Sequence, residues 1–79
     1  DLSSLGLPWD EFLKDSLAIR AERSDISDKT FFETQGRFLS GLLERPNIFF
    51  TEFFRTRYED KARDNIERYL QWSRNPSLP

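Results

Sequence analysis

The apolar positions of the chain fall into three blocks, each at helical spacing. In the first, Trp9, Phe12, Leu13, Ser16, Leu17 and Ile19 gather on one broad face opposite Glu11, Lys14 and Asp15, the three-and-four recurrence of an amphipathic helix. Pro8 suits a first turn, where its missing N–H is not needed, and Asp10 and Glu11 meet the positive end of the helix dipole. This block predicts a helix over 8–22. Ser24, Asp25, Ile26 and Ser27 then interrupt the pattern with residues that favour turns and caps.

In the second block Phe31, Phe32, Gln35, Phe38, Leu39, Leu42 and Leu43 recur at spacings of three and four, with Glu33, Arg37, Ser40 and Glu44 opposite. They predict a helix over 28–44. Two N-caps compete: Ser27 directly, or Thr30 with Glu33, which fits the capping box. Gly36, beside the apolar face, reads either as a tight helix crossing or as a tolerated imperfection. Pro46 closes the helix by restricting Arg45, and Asn47 suits the cap of the next one.

The third block runs through Ile48, Phe50, Phe54, Tyr58, Ala62, Ile66 and Tyr69 or Leu70, with no glycine or proline before Pro76. It predicts one long helix over 48–72, or two helices if the chain breaks near 56–59. Unbroken, that helix is about 40 Å long, more than two shorter neighbours cover, so its C-terminal half is expected to protrude or pack on something else. The expected fold is an all-α three-helix bundle in one domain, 1–79. A short irregular lead-in (1–7) and a linker-like tail (74–79) flank it, as in a piece of a longer or processed chain.

Composition sharpens this picture. Leucine and phenylalanine dominate the apolar set, valine is absent, and aromatics make up 15% of the 79 residues. That balance favours helix over strand. Cysteine and histidine are also absent, which removes thiolate and imidazole chemistry, disulfides and the metal sites built on those ligands. No apolar run is long enough to span a bilayer, and no segment reads as a signal peptide; a cysteine-free chain fits any redox compartment, so the location stays open, with a soluble, intracellular setting favoured. The net charge of −2 arises from 14 acids and 12 bases interleaved along the chain, without the basic patch that nucleic-acid binding needs.

Catalysis finds little to work with. The carboxylate clusters Asp10 with Glu11, Asp25 with Asp28 and Glu59 with Asp60 have no accompanying nucleophile or phosphate loop. The run from Asp25 fails the calcium-loop pattern, with Thr30 at the required glycine and Gly36 at the required glutamate. No catalytic, cofactor or metal residue is assigned.

What stands out is a surplus of aromatic rings on the third helix. At about 100° per residue, Phe50 and Phe54 join the apolar stripe, whereas Phe49 and Phe53 point to one side of it, near Asp60, Asp64 and Glu67. Either the helix starts deep between the other two and buries its first turns all round, or Phe49 and Phe53 form a patch for a partner. Tyr58, Tyr69 and Trp72 line the later part of the stripe, each apolar with one polar handle. Arg55 projects into the stripe, either covering it with its stem or recognising an acidic partner. Arg57, Lys61 and Arg68 form a basic edge flanked by acids. The candidate partner-binding residues are therefore Phe49, Phe53, Arg55, Tyr58, Tyr69 and Trp72. They imply a non-catalytic, adaptor or regulatory helical module for another protein or a second copy of this chain. A membrane-surface role ranks second and a helix-turn-helix nucleic-acid reader third.

Overall fold

The computed structural model describes residues 2–74, so the predicted tail lies almost wholly outside the described residues. They fold as the expected three-helix bundle: α1, Trp9–Glu22; α2, Asp28–Glu44; and α3, a 23-residue helix over 52–74. A 3-10 turn, Ser3–Gly6, precedes them and gives the lead-in regular structure.

Local chemistry explains most boundaries. Of the two caps competing for α2, Ser27 prevails: its Oγ accepts the Thr30 N–H at 3.2 Å. Arg20 organises the turn before it, donating to the carbonyls of Arg23 (2.6 Å) and Ile26 (3.0 Å) while pairing with Asp28 at 2.8 Å. Replacing Ser27 with alanine is expected to lower stability by about 1 kcal/mol, read as a shift in the urea midpoint at unchanged slope.

The third helix departs from expectation at its start. It begins at Glu52, not 48, and its cap is Thr51, whose Oγ1 accepts the Phe54 N–H at 3.2 Å; Asn47 does not cap it. The suspected break near 56–59 is a π turn, Arg55–Glu59, between Glu52–Phe54 and Asp60–Arg74. Such a turn accommodates an extra residue without ending the helix.

One core joins the elements: Phe12 from α1, Leu39 and Leu42 from α2, Ile48 and Phe49 from the connection, and Ala62, Ile66 and Tyr69 from α3. The C-terminal half of α3, expected to protrude, is the best covered part of the helix, with Ala62, Asn65, Ile66 and Tyr69 all buried. The extra cover is the lead-in. Asn65 Nδ2 donates to the carbonyls of Leu5 (2.8 Å) and Leu7 (2.7 Å), and Leu2 and Leu5 pack against the core. Gly6 allows this approach, because a Cβ there would lie 2.8 Å from the Tyr58 side chain. At Gly36 a Cβ would meet only Leu70, at an ordinary 3.8 Å, so no tight crossing is built there. Ile19 and Phe38, placed on apolar faces by their spacing, are exposed.

Candidate functional site

The connection between α2 and α3 is held by one ion pair that reaches across it. Glu59 takes the Ile48 N–H on both carboxylate oxygens at 3.0 Å and the Phe49 N–H on Oε1 at 3.2 Å. Arg63, one turn later, binds Glu59 Oε2 through Nε at 2.7 Å. Its Nη atoms donate to the carbonyls of Leu43 (3.0 Å), Arg45 (2.8 Å) and Pro46 (3.3 Å). Donors and acceptors left over where α2 stops are thus satisfied from α3. Burial pushes the Glu59 carboxyl up, but the Ile48 and Phe49 N–H groups and Arg63 more than offset it, holding it below the usual value of 4.5.

With both N–H groups tied to Glu59, Ile48 and Phe49 turn inward and Phe50 turns out. Phe49 is only 6% exposed, whereas Phe50 is 83%, Phe53 61% and Phe54 36% exposed. The three outward rings form a patch at the start of α3. Phe53 meets Phe54 edge-on with centroids 5.4 Å apart, and Phe54 stacks on Tyr58 at 5.7 Å and on Phe49 at 6.2 Å. The patch therefore rests on the core instead of hanging from a loose loop.

Arginines frame it. The Arg45 guanidinium lies 4.8 Å over the Phe50 ring and that of Arg57 5.0 Å over Phe53, both within cation–π range. Arg55 Nη1 donates to the Phe50 carbonyl at 3.0 Å, fixing the backbone that presents the ring. Among the described residues the ion pairs are Arg20–Asp28, Arg23–Asp25 and Arg63–Glu59; Arg45, Arg55 and Arg57 belong to none of them. Over 45–58 the sequence carries these three arginines and the carboxylate of Glu52, with Glu44 just before the stretch and Glu59, which is tied to Arg63, and Asp60 just after it.

The six candidate residues thus divide. Phe53, Arg55 and Tyr58 come together in and behind this patch. Phe49 is corrected: it is core, packed against Phe54 and Tyr58, because the helix that was to turn it outward starts three residues after it. Tyr69 is corrected too. It is buried against Phe12 and Trp72, and burial pushes its phenol up to about 12. Trp72 is half-buried at the far end of the molecule, edge-on to Phe32 at 5.9 Å. It borders a groove of about 840 Å³ lined also by Leu17, Arg20, Phe32 and Arg74, away from the phenylalanine patch. Of the basic edge, Arg57 joins the patch, while Arg68 covers the Trp9 ring at 4.3 Å.

Phe50, the most exposed large apolar side chain among the described residues, escaped the helical wheel, as did Arg45. A sequence signal existed in the pair of adjacent phenylalanines at 49–50 just after Pro46, where only one of two neighbouring rings can face a core if the backbone is extended. Among the described residues no helix is long and apolar enough to cross a membrane. Comparison with protein-family models, characterised proteins and solved structures yields no match.

Proposed function

We propose that the chain is a non-catalytic helical module that binds another protein through the patch of Phe50, Phe53 and Phe54. The observation that carries this reading is the exposure of three clustered phenylalanines on a backbone held in place from within. Full burial of one such ring is worth about 1.5–3 kcal/mol, so three turned outward forgo stabilisation that a partner would recover. Aromatic and arginine side chains are also the ones over-represented at interface cores.

Self-association through the same patch is less well supported. A two-fold contact would bring Arg45, Arg55 and Arg57 against their own copies, guanidinium facing guanidinium. A membrane role has the exposed rings in its favour, but the guanidiniums of Arg45 and Arg57 lie over the ring faces, so inserting the rings would carry charge toward hydrocarbon. A nucleic-acid role lacks a basic reading face, since the exposed side of α2 mixes Arg37 and Lys29 with Asp28, Glu33 and Glu44.

The test is selection of a random displayed peptide library on the domain, followed by titration of the recovered peptides with the Phe50→Ser/Phe53→Ser double variant. Both positions are exposed, so the variant is expected to keep its helical circular dichroism and to lose at least ~10-fold in affinity, about 1.4 kcal/mol. Recovery of no peptide, or of peptides that bind the double variant equally well, would refute the reading.

A further inference from the structure

Resting on that reading, we infer that the partner segment is acidic as well as apolar: carboxylates spaced along a short stretch whose apolar side chains cover Phe50 and Phe53. Two independent features meet here. The rings supply an apolar floor. Around it stand three guanidiniums with no carboxylate partner among the described residues, in a protein whose net charge is negative.

The placement of the arginines says how the two features work together. A guanidinium lying over a ring face still has N–H groups to offer beside the ring, and a carboxylate can take two parallel hydrogen bonds from it. Arg45 over Phe50 and Arg57 over Phe53 set two guanidiniums beside two apolar surfaces. Arg55 holds the Phe50 carbonyl with Nη1 and retains further N–H groups on the same guanidinium. A segment bearing only apolar residues would bury these groups unpaired, which is costly. A basic segment would meet like charge. An acidic apolar segment satisfies ring and guanidinium together, and its negative charge is steered toward the site before contact.

The displayed library separates this inference from the reading it rests on. Among peptides whose binding depends on Phe50 and Phe53, acids and large apolar residues are expected to be enriched together. Synthesised examples should weaken at least ~10-fold on Arg45→Gln/Arg57→Gln substitution, and weaken as salt is raised. Phe50-dependent peptides that are neutral or basic, or acidic ones indifferent to the arginine substitutions, would overturn the acid preference and leave the interaction module standing. Recovery of no Phe50-dependent peptide would remove both. Two controls guard the assignment: capture of the domain by phosphatidylserine-containing vesicles in the absence of any peptide binder, or growth of its mass with concentration in light scattering, would assign the patch to a lipid surface or to a second copy and overturn the inference.

Discussion

Replacing Glu59 with alanine is expected to destabilise the fold by about 2–4 kcal/mol, with the loss appearing in urea unfolding followed by circular dichroism. The side chain is 13% exposed, and its removal leaves the Ile48 and Phe49 N–H groups and the Arg63 guanidinium without their acceptor. A domain of this size has a total stability of roughly 4–12 kcal/mol, so the change is a large share of it. Arg63→Ala acts on the same assembly from the other side, releasing the carbonyls at the end of α2. The double variant should therefore be far less destabilised than the sum of the two singles.

The same group sets an acid limit. Because the folded state holds the Glu59 carboxyl below its ordinary value, the stability it contributes is complete above about pH 4.5 and falls away as the pH drops through the lower folded value. Glu59→Gln keeps one acceptor oxygen but no charge, so it should lose part of the stability at neutral pH and show a flatter acid profile than the wild type. An alanine variant within 0.5 kcal/mol of the wild type (on the order of an ordinary surface change), with the acid profile unaltered, would show that this pair is incidental.

That pair also marks where sequence reasoning stops. Residues whose conformation is decided by near neighbours were legible: α2 falls at 28–44 as its apolar recurrence predicts, and α1 begins within a residue of Pro8. The start of α3 was not. Ile48 and Phe49 sit among helix-compatible residues, and what keeps them out of the helix is a carboxylate ten and eleven positions later. In sequence, Glu59 and Arg63 read as one more surface pair at i, i+4, worth a few tenths of a kcal/mol. The wheel drawn from residue 48 then set Phe50 on the apolar stripe and Phe49 to one side of it, whereas the fold buries Phe49 and exposes Phe50. The π turn adds to the error, since an extra residue in one turn shifts the phase of all that precedes it relative to Ala62, Ile66 and Tyr69. Phe53 is exposed, as one of its two readings had it, whereas Arg55, read as projecting into the apolar stripe, turns back to the Phe50 carbonyl. The arginine frame was legible only in part, because Arg45 reaches Phe50 from a different element.

Asn65 offers the complementary case, a buried polar residue that spacing places on the apolar stripe and that the sequence does not mark. It is 2% exposed and donates both hydrogens of its amide, to Leu5 and Leu7. Asn65→Leu keeps the branched shape but removes the donors and adds bulk to a buried site, leaving two carbonyls unsatisfied unless the lead-in lifts and uncovers Leu2 and Leu5; a loss of about 2–3 kcal/mol is expected. Asn65→Asp is expected to be worse at neutral pH, about 3–5 kcal/mol, because it buries a charge facing two carbonyl oxygens. Burial raises the value of such an acid above its unfolded one, so the variant's deficit relative to the wild type should shrink as the pH falls through that raised value and a neutral carboxyl regains one O–H donor. The pH dependence is opposite in sign to that of Glu59, where protonation destabilises. Urea unfolding of wild type, leucine and aspartate variants across the acid range measures it. An aspartate variant as stable as the leucine one, with a deficit independent of pH, would mean that the amide does not hold the lead-in against α3.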